Sequence, residues 1–312
     1  MNDLVDLWEK PDSVRYMIAG WYQWADAGEV SSGLPQYLID ATDGRQIGEI
    51  DPHGYYLFQF PGTHDLLRPL VRLEEGYRVE LRERRNEFYV SGDSESSFLI
   101  FIGDEPHMNV ERYATAFLDA VEALGVERVA IVAGVNGPMP YDKDREISCV
   151  YSLPGMKEEL EGYALRPSNY EGGATIGVYL ADRAEERGIE LVAFYAMVPA
   201  YDFSQASSTS TVQRVSADED FKAWYDLMRR LDYMFDLGFD LSDLEARSDE
   251  LVAAWDSRIA QLEKKLPGVV GPYMDEVNEE FEERTFDPLS QAWEDALGDI
   301  FGDSEGMSYP EE

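Results

Sequence analysis

The sequence predicts an α/β fold: a three-layer α/β/α sandwich on a mixed sheet, with a helical extension at its C-terminal end. Three observations carry that expectation. Continuous apolar runs alternate with segments of helical period from residue 14 to about residue 200. Shorter stretches of alternating polarity interrupt them between residues 45 and 90. From Asp218 onward only helical stripes occur.

Val14–Gly20 reads as the first buried strand. Asp26 is placed to cap a helix running to about Asp40, with Gly33 and Pro35 weakening its middle. Arg45–Ile50, Tyr55–Phe60, Tyr77–Leu81 and Glu87–Val90 alternate in polarity, as half-exposed strands in an antiparallel part of the sheet do. Ser97–Gly103 is apolar nearly throughout, the pattern of a central strand covered on both faces. Val110, Tyr113, Ala114, Phe117, Leu118, Val121 and Leu124 then fall at helical spacing, between a cap at Asn109 and a stop at Gly125. Arg128–Val132 returns as a buried strand, so the unit is strand–helix–strand with a right-handed crossover. A helix over Ala174–Arg187, stopped by Gly188, and a strand over Glu190–Val198, ending at Pro199, form a second unit.

Ser204–Ser216 is rich in Ser and Thr and has no period, so it reads as a loop. Three helical stripes follow: Phe221, Trp224, Tyr225, Met228, Leu231 and Phe235, then Leu241, Leu244, Leu251, Trp255, Ile259 and Leu262, then Val270, Tyr273, Met274, Val277 and Phe281. Leu289, Trp293, Leu297 and Phe301 mark a last short helix before the acidic end Gly302–Glu312. The expected organisation is a core domain over 1–203, a linker over 204–217, a helical extension over 218–301 and an acidic tail over 302–312.

The 312 residues include 63 acidic and 26 basic side chains, a formal charge of −37, and hydrophobic residues make up 44%, enough for a folded core. Such a surface repels the phosphate backbone and anionic lipid, which excludes general nucleic-acid binding and disfavours membrane docking. The charge is uneven: Ser216–Glu312 carries 27 acids and 8 bases, net −19 in 97 residues, which sets the C-terminal part apart. Only six of the 26 cations are Lys; the acid surplus suits a saline cytoplasm or reflects a genome that favours Arg and Asp, and both readings stay open. One cysteine, Cys149, allows no disulfide within the chain. Met1–Lys10 is acidic, without the basic-then-apolar order of a signal peptide, and no window approaches ~18 consecutive apolar residues. The expectation is a cytoplasmic protein without nucleic-acid or membrane partners.

No phosphate-binding loop, dinucleotide fingerprint or nucleophile elbow is present. His53, His64 and His107 lack the spacing of a helical zinc site, so neither a metal nor another cofactor is expected. The candidates for chemistry are five Gly- or Pro-bearing turns at the carboxyl ends of strands, where open α/β sheets bind ligands. They are Gly20–Glu29, Gly103–His107, Ala133–Tyr141, Asn169–Gly173 and Val198–Tyr201. In one reading they ring a single pocket, with Asp26, Glu105 and Glu171 as carboxylates and Gly20, Trp21, Gly28, Glu29, Gly134, Asn136, Gly172 and Tyr201 completing it; free N–H groups before the helix at 174 would hold an anion. In the other, Gly and Pro turn the chain, Asp26 caps a helix and the aromatics pack.

At the same five turns the sequence resembles the proteasome assembly chaperone 2 family of archaea and bacteria. Gly20-Trp21 with Asp26-Ala27-Gly28-Glu29, Gly103-Asp104-Glu105-Pro106, Gly125-Val126 with Gly134-Val135, Tyr170-Glu171-Gly172 and Val198-Pro199-Ala200-Tyr201 follow the family's order over residues 14–201, about 60% of the chain. The resemblance implies a core like that of nucleoside phosphorylases, oligomerisation and, for this branch, trailing helices. It does not imply an enzyme. Two departures stand out. Ala200 occupies a position where the family usually has His, and the chain ends Ser308-Tyr309-Pro310-Glu311-Glu312 where archaeal relatives that dock on the proteasome end in a hydrophobic residue, Tyr and any residue.

Two functions follow. The first is a non-enzymatic protein-interaction or assembly factor acting as a homo-oligomer. The second is a binding protein or enzyme for nucleosides or phosphorylated metabolites, working at the strand ends with Arg68, Arg145 or Arg166 as the available cations. No catalytic residue is identifiable.

Overall fold

The computed structural model describes residues 4–11, 14–22, 24–59, 67–92, 97–203 and 214–287. Its strands are β1 (Val5–Leu7), β2 (Tyr16–Tyr22), β3 (Arg45–Ile50), β4 (Leu70–Glu74), β5 (Tyr77–Arg82), β6 (Asn86–Ser91), β7 (Phe98–Asp104), β8 (Arg128–Gly137), β9 (Ile147–Tyr151), β10 (Arg166–Pro167), β11 (Glu190–Asp202) and β12 (Arg214–Ser216). Its α-helices are α1 (Gly33–Ala41), α2 (Val110–Leu124), α3 (Lys157–Glu161), α4 (Ile176–Arg187), α5 (Phe221–Phe235), α6 (Ser242–Lys265) and α7 (Val270–Glu280). The main sheet has the order β1-β3-β6-β7-β2-β8-β11-β9-β10, with β12 added to β11; β4 and β5 form a separate hairpin. The four central strands β7, β2, β8 and β11 are parallel, and antiparallel pairs flank them on both sides.

Side-chain parity builds the layers, because successive residues of a strand point to opposite faces. Odd-numbered residues such as Met17, Phe101, Ile131 and Ala193 pack with Tyr113, Phe117 and Val121 of α2 and Leu180 and Ala184 of α4. Even-numbered residues such as Ile18, Ile100, Val132 and Phe194 pack with Leu34 and Leu38 of α1, Leu160 of α3, and Trp224, Leu227, Met228 and Leu231 of α5. The result is the expected α/β/α sandwich, with β7 buried along its whole length. α2 and α4 end on Gly125 and Gly188 in the left-handed region, as their sequence stops predict.

Several elements differ from the sequence reading, each for a local reason. α1 starts at Gly33, so Pro35 lies in its first turn, where a missing N–H is tolerated, and does not weaken the middle. Asn109 is the N-cap residue of α2 as expected, but its side chain makes no capping bond: the residue is left-handed (φ 55°) and its side chain donates to the Gly54 carbonyl. Tyr55–Gln59 is not a strand, Phe60 lies outside the described residues, and Tyr77–Leu81 belongs to the separate hairpin instead of the main sheet. β11 continues past Pro199 to Asp202, because the Pro lies beyond the stretch paired with β9 and its carbonyl side still pairs along β8. β12 occupies the end of the stretch read as a loop, and β1, β4, β9 and β10 were not anticipated. The expected helix around Leu289–Phe301 and the acidic tail lie outside the described residues.

The helical extension divides in two. α5 supplies a large share of the second face of the sheet, so residues on both sides of the expected 204–217 linker share one core. α6 joins that core through Leu244 at its start, while its later turns and α7 build a smaller cluster with the overhanging end of β11: Tyr201, Phe203, Val215, Trp255, Leu262 and Val270. α5 is fastened by ions. Asp220 caps it by accepting from the Ala223 N–H and takes a bidentate contact from Arg145, with Nε to Oδ2 at 2.9 Å and Nη2 to Oδ1 at 3.1 Å. Neither side chain has measurable exposure. Arg145 Nη1 also donates to the Tyr141 and Lys143 carbonyls, and its backbone N–H donates to Asp226 Oδ2.

Removing one member of such a pair leaves the other charge buried and unpaired. Asp220→Ala is expected to cost about 3–5 kcal/mol in urea unfolding. Asp220→Asn combined with Arg145→Met is expected to cost clearly less than the sum of the two single changes.

Candidate functional site

The sheet opens at the carboxyl end of its parallel centre. β2 pairs with β7 as far as Tyr22 but with β8 only as far as Ala19, so β2 and β8 part at their carboxyl ends. α1 leaves β2 over one face and α2 leads into β8 over the other, which makes this the topological switch point where such sheets bind ligands. Residues 25–32 fill the gap as a strap. The Gly134 N–H donates to the Ala25 carbonyl at 2.7 Å, and Asp26 and Gly134 form a parallel bridge. Two glycines make the close approach possible: a Cβ on Gly20 would lie 1.8 Å from the Ser31 carbonyl oxygen, and one on Gly134 would lie 2.0 Å from that of Ala27.

Between the strap, β8, β9 and the start of α4 lies a cleft of about 830 Å³. Asp26, Gly134 and Asn136 line it, together with Trp24, Ser148, Tyr170, Thr175 and Tyr195. Its polar groups are largely engaged with one another. The Ser31 and Ser32 N–H groups donate to Asp26 Oδ1 (2.8 and 2.9 Å), and the Ser32 hydroxyl donates to Oδ2 (2.7 Å). The Thr175 and Tyr195 hydroxyl oxygens are 2.6 Å apart, while Thr175 Oγ1 also accepts from the Val178 N–H and so caps α4. Burial pushes the Asp26 carboxyl up to about 6, against the pull of its serine donors.

Glu105 stands behind the cleft as a brace. It accepts from the Ile176 N–H at the start of α4 and from the Trp24 N–H, tying the second, first and fourth turns together. Burial raises its carboxyl above the ordinary range. The Ile176 N–H is taken by Glu105 and the Val178 N–H by Thr175, so these two are not free to hold an anion at the start of α4. Glu171 and Gly172 are exposed and do not line the cleft. Trp21 faces the other layer, where its indole donates to the Tyr113 hydroxyl at 2.8 Å. Gly28 turns the strap, and its carbonyl accepts from the Asp220 N–H and the Trp224 indole. Glu29 lines a neighbouring groove. Tyr201 is buried in the α6–α7 cluster, donating to the Met139 carbonyl.

The three candidate cations are placed elsewhere. Arg145 is in the buried pair, Arg166 faces Glu146, and Arg68 donates to Gln59; among the described residues no Lys or Arg lines the cleft. His53 contacts Asp51, His107 accepts from the Leu57 N–H, His64 lies outside the described residues, and Cys149 is buried. No group of three His, Cys, Asp or Glu among the described residues is placed to hold a metal ion, and no described helix is long and apolar enough to cross a membrane. The residues missed in the sequence are Ser148, on the unanticipated β9, and Thr175 and Tyr195, read as a helix start and a strand residue. The alternation of β11 would have placed Tyr195 on the α4 face.

The molecule is therefore an α/β/α protein with an aromatic-walled cleft at the carboxyl ends of its parallel strands, carrying a helical addition. The sequence matches the PAC2 family profile over residues 21–258, and the chain belongs to that family. A PAC2 family protein from Streptomyces avermitilis superposes with a TM-score of 0.65 at 25% identity, covering 83% of this chain and 99% of that one. A proteasome-assembly chaperone homologue from Mycobacterium tuberculosis gives 0.65 at 24% identity, covering 79% and 94%. The fold also matches PbaB of Pyrococcus furiosus, an archaeal proteasome activator, with a TM-score of 0.55 at 19% identity, covering 81% and 97%. Comparison with curated protein sequences found no match.

Asp26 yields a pH signature. Its folded-state affinity for the proton is raised, so the stabilising contribution is complete below the unfolded value near 4 and is lost as pH rises through about 6. Asp26→Asn is expected to remove that decline. Over pH 4–7 the wild type should lose up to about 3 kcal/mol relative to the variant, measured by urea unfolding at each pH.

Proposed function

We propose that this PAC2 family protein binds other proteins, as a homo-oligomeric and assembly-chaperone-like factor, and does not transform a metabolite. One observation carries the reading: exposed apolar side chains gather at the carboxyl end of the sheet. Trp24 and Tyr170 at the cleft are 62% and 71% exposed, and the β4–β5 hairpin, whose base adjoins the strap, exposes six more large apolar residues. Exposed large apolar side chains gathered in one region are characteristic of interaction sites, and aromatic anchors dominate binding energy in such sites. The chaperone homologue and the proteasome activator among the structural relatives support the same class of role. A tagged full-length chain, captured gently from its native lysate, is expected to bring down stoichiometric partners. Trp24→Ser with Tyr170→Ser is expected to lose them with an unchanged melting temperature. Recovery of the wild-type chain alone overturns the reading.

The cleft favours a second, narrower reading. Its volume and the hydroxyls of Ser148, Ser168, Thr175 and Tyr195 suit a small uncharged ligand such as a nucleoside. Phosphorylated metabolites fit less well, because among the described residues the lining offers them no cation and the Ile176 and Val178 N–H groups are already engaged. On this reading millimolar nucleosides raise the melting temperature while phosphate alone does not, and a flat response to all of them removes it.

A further inference from the structure

After α7 the chain runs without secondary structure over residues 281–287 and crosses back to α5. Phe286 is the one buried side chain of this segment, yet it joins none of the three apolar clusters of the described residues. Its seat is a small cage. The Tyr163 ring stacks on it with centroids 6.0 Å apart, the Tyr233 ring meets it edge-on at 5.8 Å, and the Arg230 guanidinium carbon lies 5.1 Å from its centroid. Arg229 Nη2 donates to the Phe286 carbonyl, and three residues upstream Glu283 meets Lys143 at 3.2 Å. An aromatic anchor, a main-chain acceptor and a carboxylate are the recognition chemistry of a short docked peptide, here supplied by the chain itself.

Seat and occupant belong to different parts of the molecule. Arg229, Arg230 and Tyr233 project from α5, which is fixed in the second face of the core, and Tyr163 packs against the same core. The segment 281–287 follows α7, which belongs to the smaller cluster. With the segment in place the seat is not fully satisfied. Arg230 donates through Nε to the Tyr163 carbonyl at 2.9 Å and through Nη1 to the Asp226 carbonyl at 2.7 Å. Its Nη2 finds no acceptor among the described residues, although the residue is only 1% exposed. A buried donor left unmet counts against the closed arrangement, and burial pulls the Arg230 guanidinium below its ordinary proton affinity. Tyr233 stays 39% exposed, so one wall of the cage is reached from solvent.

We propose that this cage on α5 is a docking seat for an acidic segment of another protein that carries an aromatic side chain, and that residues 281–287 cover it in cis as a displaceable occupant. The partner's chemistry is read from the segment seated here: a ring between two tyrosines, its carbonyl on Arg229, and a carboxylate three residues before it on Lys143. A second copy of the chain would bring the identical segment without the tether, and the tether gives the cis segment the advantage at micromolar protein. A segment that also brings an acceptor to Arg230 Nη2 makes the contact the cis segment lacks, which selects a different protein.

The inference rests on the protein-binding reading above but uses a different surface, so the two fail separately. A fluorescent peptide of residues 279–287 stands in for the partner segment. Full-length Phe286→Ala, which cannot fill its own seat, is expected to bind it about tenfold or more tightly than the wild type by anisotropy, while the melting temperature of the body holds. The same peptide carrying Phe286→Ala is expected not to bind, and adding Trp24→Ser and Tyr170→Ser to the variant chain is expected to leave binding as it is. Trypsin cleavage after the exposed Arg284 gives a second measurement on the wild type. Millimolar peptide, itself carrying Arg284→Gln, is expected to speed release of residues 285–312. Equal peptide binding by wild type and variant overturns the seat, as does absence of binding to the variant with cleavage of the wild type unchanged; either leaves the protein-binding reading standing. Self-association of the wild type that Phe286→Ala abolishes, followed by analytical ultracentrifugation, assigns the seat to a second copy and overturns the choice of partner.

Discussion

Asp220 is where the layers of this protein are joined. With no exposed atom it caps α5, holds both ends of the Arg145 guanidinium fork and, through its backbone N–H, meets the Gly28 carbonyl of the strap. One residue thereby aligns the helix covering the second face of the sheet, the loop after β8 and the segment closing the gap between β2 and β8. A carboxylate this deeply buried is tolerable only because a bidentate partner and a backbone donor meet it. The guanidinium in turn is satisfied by two carbonyls that a lysine could not reach together.

The charge excess becomes intelligible in this setting. Cations are scarce, and many of the arginines are committed: Arg128 bridges Glu159 and Glu190, Arg187 bridges Asp119 and Glu122, Arg84 holds Asp104, and Arg229 and Lys222 surround Asp144 and Asp226. They pin element to element, which leaves unpaired carboxylates to face solvent. Self-repulsion among those carboxylates favours solubility and opposes compactness. The arginine links therefore sit where acidic segments must lie side by side.

How much of this was legible depended on whether a signal was local. The buried strands β2, β7, β8 and β11 and the helices α2, α4 and α5 announce themselves through period, because a segment covered on one or two faces must place its apolar residues accordingly. β9 and β10 are short and carry Ser, Cys, Arg and Pro; only their neighbours make them strands. The same limit governed the cleft. Asp26, Gly134 and Asn136 belong to two of the five Gly- or Pro-bearing turns, and they line it. Trp21 and Tyr201 also belong to such turns, yet the parity of their strands sends their side chains elsewhere. The jobs of Gly20 and Gly28 are likewise invisible in sequence, since each depends on a backbone from another part of the chain.

β11 serves two masters. Its stretch Leu191–Val198 is sheathed by both principal helix layers, while its far end, with Tyr201, belongs to the lesser cluster under α6 and α7. Elements that share a strand but not a core come apart in order. The lesser cluster, shared by α7 and the C-terminal part of α6, is the part expected to open first, with amide exchange beginning there. A protein built this way can yield one end without surrendering the scaffold to which it is attached.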